Sequence, residues 1–519
     1  MWGWRLSRTS VLGLTVLVFI VCCVLPVGWL LVELLWSATD TTTDALLDAR
    51  RRQLLYNTAA LGTGAAIVAS AVGVSLAILL GRIRFRGKTL LRIALATPAF
   101  VPPYVMALAW TYLANAFPFM APGVASDWIH SLPAAVLVLA SVFFPLPMLA
   151  TEVAIRRVDR RLEEAGFIIA PPHRVLWGIT LPLVAPAVLA ATLLVFVLAI
   201  SEFGVPGLLR VRVYTTEVFT AFAALYDAAR AVVLTLPLLT VCVIVAGAAA
   251  TLVGDRLVTN RRTVSAQPLP IQQWRTPGVV FALIVTVFTL LVPVMVLAIE
   301  AAGAQSPAAV LAGSLTAILK SFALAAAGAS LVMVVAVGLG YLRARMSRRG
   351  RIVDVILVVL FAVPSTVIGV ALINLWNRPG VPGTVYDSSM MFLLAYLARF
   401  IPVAALIAGA TVRAVPVAHE EAAAMSGASW LRTLFHIVMP QMKLGIAAAW
   451  IVVFVLAFGE LGVSILVAPP GDTTLPIRIY TMIANTPPSN VAIFALAQTT
   501  IVLAAVSVLG VVASAREAR

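Results

Sequence analysis

Twelve long apolar stretches dominate the chain, and no water-facing globule could bury that many. They fall at roughly 10–36, 54–80, 90–114, 132–153, 183–201 and 231–253, then at 279–302, 314–341, 352–376, 390–410, 443–466 and 491–513. A helix needs ~20 apolar residues to cross the ~30 Å hydrocarbon core of a bilayer. The sequence therefore predicts an all-α integral membrane protein with about twelve transmembrane helices, a lipid bilayer being its solvent. Composition agrees: 62% of the residues are hydrophobic and 11% charged, against ~25% charged in soluble domains. Residues 10–36 follow Arg5 and Arg8 and run on to Trp29, Glu33 and Trp36. That is too long for the core of a signal peptide, so the stretch reads as a retained first span.

The formal net charge is +15. The basic residues sit in short segments between apolar stretches, which excludes nucleic acid as their explanation and points to topology. With the N-terminus inside, most of the 36 Lys and Arg residues fall on the cytoplasmic side. The positive-inside rule then places both termini in the cytoplasm of a multi-pass inner-membrane protein. Arg50, Arg51 and Arg52 are the exception, expected outside and capping an amphipathic segment, 37–53. The most basic short loops, 81–88 and 342–351, occupy equivalent places in the two halves. Segment 254–278 is polar, carries Pro268, Pro270 and Pro277, and reads as a cytoplasmic linker. It separates a first domain, 1–253, from a second, 279–519, each of about six spans.

The halves repeat each other. Val195–Ala199 recurs as Val453–Ala457, 258 residues later. At that spacing Glu202 meets Glu460, Gly204 meets Gly462, Glu163 meets Glu421, Ala165 meets Ala423 and Pro182 meets Pro440. Further upstream the spacing drifts, and Pro102 meets Pro364. Apolar letters coincide easily by chance, whereas charged residues and prolines at one spacing do not. A duplicated unit with an even number of spans puts both copies the same way up, around an axis along the membrane normal, with a pathway between them.

Residues 420–440 read EEAAAMSGASWLRTLFHIVMP and residues 163–182 read EEAGFIIAPPHRVLWGITLP. The former resembles the EAA loop of permeases of binding-protein-dependent ABC importers, through Glu421, Ala422, Ala423, Gly427, Ile437 and Pro440. Glu163, Ala165, Ile179 and Pro182 carry the pattern in the first half, where Ile169 stands in place of the usual Gly. The resemblance implies coupling helices that seat in an ATPase subunit, with Glu163, Glu164, Ala165, Pro182, Glu420, Glu421, Ala422, Ala423, Gly427 and Pro440 at the contact. Physical reasons stand beside it. Glu420 and Glu421 suit a helix N-terminus, Gly427 permits an exit with positive φ, and Pro440 would open the next span without losing a needed N–H. Lacking the Gly, the first loop is expected to tolerate Glu163→Lys better than the second tolerates Glu421→Lys.

Glu202 with Gly204 and Glu460 with Gly462 close equivalent spans. An acid beside hydrocarbon faces a cavity or a partner, so these residues are candidate pathway or gate positions. They serve equally as carboxylates that cap a broken helix by accepting backbone N–H bonds. Glu-Phe-Gly at this place resembles importers of iron, thiamine, sulfate and molybdate. Both halves fused in one chain resemble ferric-iron permeases first and thiamine permeases second, and the segment 98–104 resembles the iron group. Sulfate, molybdate, phosphonate or polyamine uptake by the same mechanism are the alternatives. An ion-coupled secondary transporter also uses repeats and membrane acids, but has no need of paired EAA loops. The resemblance further implies an ABC ATPase subunit, in two copies, and a periplasmic or lipid-anchored solute-binding protein.

No catalytic set is visible. Gly81–Thr89 imitates a phosphate loop but has one residue too many between its glycines and no strand before it. The chain is thus expected to be a transport subunit without an ATPase of its own and without a cofactor. Cys22, Cys23 and Cys242 lie in apolar stretches, and His130, His173, His419 and His436 are scattered without ligand spacing.

Overall fold

A computed structural model describes residues 2–37, 49–116, 124–253, 274–346 and 350–517. Most of the linker expected at 254–278, and most of the amphipathic segment expected at 37–53, lie outside the described residues. So do 347–349 of the second basic loop.

The described residues are helical, with no strand among them. In the first half the helices that position the site are α1 (Thr9–Glu33), α2 (Arg50–Arg82), the pair α3 (Lys88–Phe100) and α4 (Pro103–Ala116), and the pair α5 (Leu132–Phe143) and α6 (Pro145–Ile155). There follow α7 (Arg160–Ile169), α8 (Pro172–Ser201), the short α9 (Gly204–Leu208) and α10 (Tyr214–Phe219), and α11 (Ala229–Ala250). The second half runs α12 (Arg275–Ala302), α13 (Leu315–Arg345), the pair α14 (Gly350–Ala362) and α15 (Ser365–Trp376), and α16 (Met390–Arg413). It ends with α17 (Val417–Met425), α18 (Trp430–Phe458), α19 (Ser464–Val467), α20 (Leu475–Met482) and α21 (Pro488–Gly510). Nine of these helices are long and apolar enough to cross a membrane, and the count reaches twelve if each bent pair is one span.

The two sharpest bends are equivalent. The chain turns by 96° between α3 and α4 and by 92° between α14 and α15. Pro102 and Pro103 stand at the first break and Pro364 at the second. Proline has no N–H to donate and clashes with the preceding turn, so the helix stops and the freed carbonyls need other donors. Val101 accordingly has extended backbone, with ψ 128°, and Pro364 has ψ 143°.

Pro440 behaves differently from the expectation, and Pro182 behaves in the same way as Pro440. Neither opens a span: each lies inside a continuous helix, α8 or α18. A π-bulge precedes each one, Leu176–Thr180 and Leu434–Val438. The wider turn takes up the hydrogen bond that proline cannot make, so the helix passes through it.

The first span of each half crosses to the other half. Thr15 of α1 lies against Gly338, Cys23 Sγ contacts the Leu397 carbonyl at 3.6 Å, and Trp29 lies under the Arg378 guanidinium at 4.4 Å. In return, Phe288 of α12 stacks on Trp110 at 6.4 Å. Only 22% of the α1 core and 17% of the α12 core is buried, against 61% for α16. The first spans are thus peripheral and lipid-facing, and α16 lies at the centre.

Arg50, at the start of α2, pairs with Glu217 of α10 at 3.0 Å. This ion pair gives that part of the unexpected triplet a local function at the far end of the bundle from the α7 and α17 helices.

Candidate functional site

The short helices α7 and α17 are anchored by buried ion pairs. Glu163 is fully buried: its carboxylate pairs with Arg82 at the end of α2 at 2.7 Å and accepts from the Thr180 hydroxyl at 2.6 Å. In the second half the buried acid is Glu420. It accepts from Tyr341 at 2.6 Å and from Arg345 Nε at 2.9 Å, both at the end of α13. Arg345 also holds the Val415 carbonyl at 3.1 Å, and Trp430 Nε1 donates to Tyr341 Oη at 3.2 Å. Desolvated carboxylates persist only when paired and hydrogen-bonded. Each anchor therefore ties a short helix rigidly to one long span.

These anchors correct the register of the repeat. Glu163 corresponds to Glu420, not to Glu421, which is exposed. Likewise Gly166 and Ala423 are the buried partners, while Ala165, Ala422 and Glu164 face outward. The spacing is one residue shorter here than along α8 and α18. The second half uses the additional residue at Gly427, whose φ of +77° ends α17 in a left-handed turn that costs a residue with a Cβ about 1–2 kcal/mol. The first half makes no such turn: Ala170 is extended, with φ −143°, and leads into Pro171. Ile169 is therefore not a strained substitute for Gly, and the expected tolerance of Glu163→Lys is reversed. Beyond the anchors, the helices present apolar tips. Ile168, Ile169 and Met425 are 84%, 86% and 90% exposed.

A second constellation joins the halves at the broken helices. Pro102 packs against Gly459, where an added Cβ would stand 2.8 Å from the proline ring. At the equivalent place Ser201 Oγ donates to the Ala362 carbonyl at 3.4 Å. Tyr104 Oη donates to Gln498 Oε1 at 2.5 Å, and Gln498 Nε2 donates to the Phe458 carbonyl at 3.1 Å. Arg399, buried in α16, donates to the Phe361 carbonyl at 3.3 Å and to that of Val363. It thereby satisfies carbonyls that the break at Pro364 leaves without helical partners.

Glu202 and Glu460 follow α8 and α18 in this zone, both half-buried. Glu202 accepts from the Gly204 amide at 3.0 Å and the Val205 amide at 2.7 Å, capping α9. Glu460 accepts from the Val463 amide at 3.0 Å, ahead of α19. The two loops touch, Leu461 lying against Gly204. Beyond them the α10 and α20 helices are held alike. The Tyr214 amide donates to Thr58 of α2 at 3.0 Å, and the Leu475 amide to Ser321 of α13 at 2.6 Å. Asp472, before α20, takes Lys320 and Ser389. Burial pushes the Asp472 carboxyl up, but the hydrogen bonds from Lys320 and Ser389 outweigh it and hold it below the ordinary aspartate range.

Replacing both Glu202 and Glu460 by Gln separates the two functions open to them. Each carboxylate bond to a backbone amide is charge-assisted and worth about 1.5–3 kcal/mol. Were capping their main function, the purified double variant would lose several degrees of melting temperature. If they act on solute, uptake falls while melting temperature and basal ATPase activity of the complex stay close to wild type. Unchanged uptake with unchanged stability would contradict both.

Arg399, Gln498, Arg82 and Arg345 escaped the sequence reading. Arg399 had a signal, a lone cation inside an apolar stretch. Arg82 and Arg345 stood in basic loops and were absorbed by the topology argument.

A family model described as "Binding-protein-dependent transport system inner membrane component" matches the chain twice, over residues 73–259 and 334–518. The chain is 23% identical over 491 residues to the Fe(3+)-transport system permease protein FbpB 2 of Haemophilus influenzae, covering 92% of this chain and 93% of that one. It is 35% identical over 138 residues to the molybdenum transport system permease protein ModB of Escherichia coli, covering 25% of this chain and 60% of that one. A putative 2-aminoethylphosphonate transport system permease protein, PhnU, of Salmonella choleraesuis is 30% identical over 146 residues, 26% of this chain and 50% of that one.

Proposed function

The chain belongs to the family of binding-protein-dependent transport system inner membrane components, and from that premise we propose that its two halves form the complete membrane pathway of an ATP-driven importer of ferric iron. It is a multi-pass inner-membrane ABC importer permease. Such a subunit works with a solute-binding protein and an ATPase. Two ATPase copies, one for each half, are our proposal. So are the division into 1–253, 254–278 and 279–519, and the cytoplasmic placing of both termini.

The observation that carries the reading is the matched pair of anchored helices. Each is fixed to one long span by a buried Arg–Glu pair and offers an exposed apolar tip. Exposed apolar side chains on an otherwise polar end favour a protein partner. A partner that closes would push α7 and α17 together, and the anchors would carry that motion into α2 and α13. Those spans hold α10 and α20 through Thr58 and Ser321. Closure at one end would thereby reach the loops of Glu202 and Glu460 at the other.

Similarity along nearly the whole chain to a relative named for Fe(3+) supports iron as the solute. A molybdenum-type oxyanion is the second reading, supported by higher identity over a quarter of the chain. Proteoliposomes carrying the complex and its binding protein, offered ferric iron or molybdate in turn, distinguish them. Iron alone accumulating supports the first reading, and molybdate alone the second.

The topology is testable without a substrate. Reporter fusions after residues 345 and 519 are expected to report cytoplasmic. A periplasmic signal from residue 519 would overturn the orientation proposed for α7 and α17.

A further inference from the structure

We propose that Arg210, Arg212 and Tyr226 anchor an acidic face of the solute-binding protein on the outer end of the first half. Among the described residues, two that are not glycine have left-handed backbone: Arg210 at φ +58° and Tyr226 at φ +53°. A residue with a Cβ disfavours that conformation. Both side chains are exposed, that of Tyr226 belonging to a residue 89% exposed, so packing does not offset the strain. The chain itself shows what each turn asks for. Arg210 stands four residues before Tyr214, and Gly471 four before Leu475, the two amides that Thr58 and Ser321 hold alike. Gly471 has φ +80°, so the second half makes the same left-handed turn with glycine. Tyr226 ends the helical turns that follow α10, where the Asp227 amide reaches back to the Ala221 carbonyl at 3.0 Å. Gly427 ends α17 in the same conformation, the Ala428 amide reaching back to the Ala423 carbonyl at 3.0 Å. Glycine is the usual residue at such a helix end. An arginine and a tyrosine stand instead at the two strained places, and these are residue types enriched as anchors of protein interfaces.

Charge decides the kind of partner. Arg210 and Arg212 alternate with the buried Val211 and Val213, so both guanidinium groups leave the loop on its solvent side. The acids of the α10 region are engaged: Glu217 pairs with Arg50 at 3.0 Å, and Asp227 Oδ1 accepts from the Arg230 amide at 2.9 Å. The corresponding turn of the second half is satisfied internally, Asp472 taking Lys320 and Ser389. Exposed guanidinium groups fork onto carboxylates, and complementary charge steers a partner to its seat. Tyr226 borders an open notch shared with Asn377 and Tyr386 of the second half, so one lobe of a partner seated there touches both halves. This end of the bundle is the one remote from α7 and α17, and of the two proteins that work with such a permease the solute-binding protein is the one that reaches it. The inference rests on the proposed function and orientation.

The test uses the permease–ATPase complex in nanodiscs. Its probe is the binding protein that supports uptake in proteoliposomes, carrying a fluorophore. Arg210→Gly removes the guanidinium and relaxes the turn. It is expected to weaken docking roughly tenfold while the melting temperature equals that of the wild type or exceeds it. Tyr226→Gly should behave alike. The Arg212 carbonyl is held by Asn57 at 3.0 Å, so Arg212→Glu changes the side chain over a fixed backbone and should weaken docking at least as much. Salt is expected to weaken wild-type docking and to affect Arg210→Gly/Arg212→Gln much less. Docking of the triple variant Arg210→Gly/Arg212→Gln/Tyr226→Gly within twofold of the wild type would overturn the proposal. So would a melting temperature several degrees lower for Arg210→Gly, which would make the arginine a structural residue. Wild-type docking that disappears when phosphatidylglycerol is left out of the nanodisc would assign the cations to lipid headgroups and overturn it too. Wild-type uptake that needs no binding protein would overturn the proposed function and this site with it, whereas uptake that needs the binding protein equally in the triple variant and the wild type, at the same half-saturating concentration, overturns the site alone.

Discussion

Glu163→Lys destroys the anchor of the first short helix and takes transport with it. The native carboxylate is fully buried and holds Arg82 at 2.7 Å and Thr180 at 2.6 Å. Breaking a buried ion pair by removing one partner costs about 3–5 kcal/mol, because the other charge is left without compensation. Lysine adds a second cation beside the first, so the loss lies at the upper end of that range. The expected result is a large fall in melting temperature and in yield of the purified permease. Glu163→Gln keeps an acceptor for Thr180 and should lose less. Glu421→Lys alters an exposed side chain and is expected to leave the melting temperature within a degree or two. Its effect should appear instead as impaired ATPase coupling. Equal melting temperatures for Glu163→Lys and Glu421→Lys would contradict the one-residue register shift between the halves.

Arg399→Met is expected to be the most damaging single change in the interior of the second half. Arg399 supplies donors to the carbonyls of Phe361 and Val363, where α14 stops at Pro364. Methionine is similar in length but offers no donor. A buried carbonyl left without a partner costs about 1–3 kcal/mol, so two carbonyls bring the loss to about 2–6 kcal/mol. One effect opposes this: removing a buried cation relieves its desolvation penalty. The carbonyls prevail if the sharp bend depends on them, since α14 cannot rejoin α15 through a proline. Arg399→Lys, with a single ammonium in place of a planar fork, should recover part of the stability and less of the uptake. A melting temperature for Arg399→Met equal to that of the wild type would show that packing alone holds the break.

The spans were legible because hydrocarbon imposes one length and one composition on every crossing. All twelve apolar stretches correspond to a long helix or a bent pair. The repeat was legible through charged residues and prolines, whose chance coincidence is low. Three things were not legible, each for a physical reason. Exchange of α1 and α12 between the halves depends on tertiary contacts such as Thr15 with Gly338, which leave no mark on hydropathy. Register at the short helices was misread because two adjacent glutamates, Glu420 and Glu421, fit the same letter pattern. Only burial tells them apart. The fate of Pro440 was misread because a missing N–H is equally compatible with a first turn and with a π-bulge upstream. The acids Glu202 and Glu460 were found from sequence as a pair of alternatives. The structure adds the amides that they accept.

The proposed function is inward movement of solute driven by a separate ATPase. The most direct measurement is solute uptake into proteoliposomes containing the chain, its ATPase subunit and its binding protein. ATP is supplied on the α7 and α17 side, and any ion gradient is collapsed with ionophores. The expected result is accumulation that requires ATP and the binding protein and persists without a gradient. Uptake that continues without ATP and stops when the gradient is collapsed would contradict it, and would identify an ion-coupled carrier.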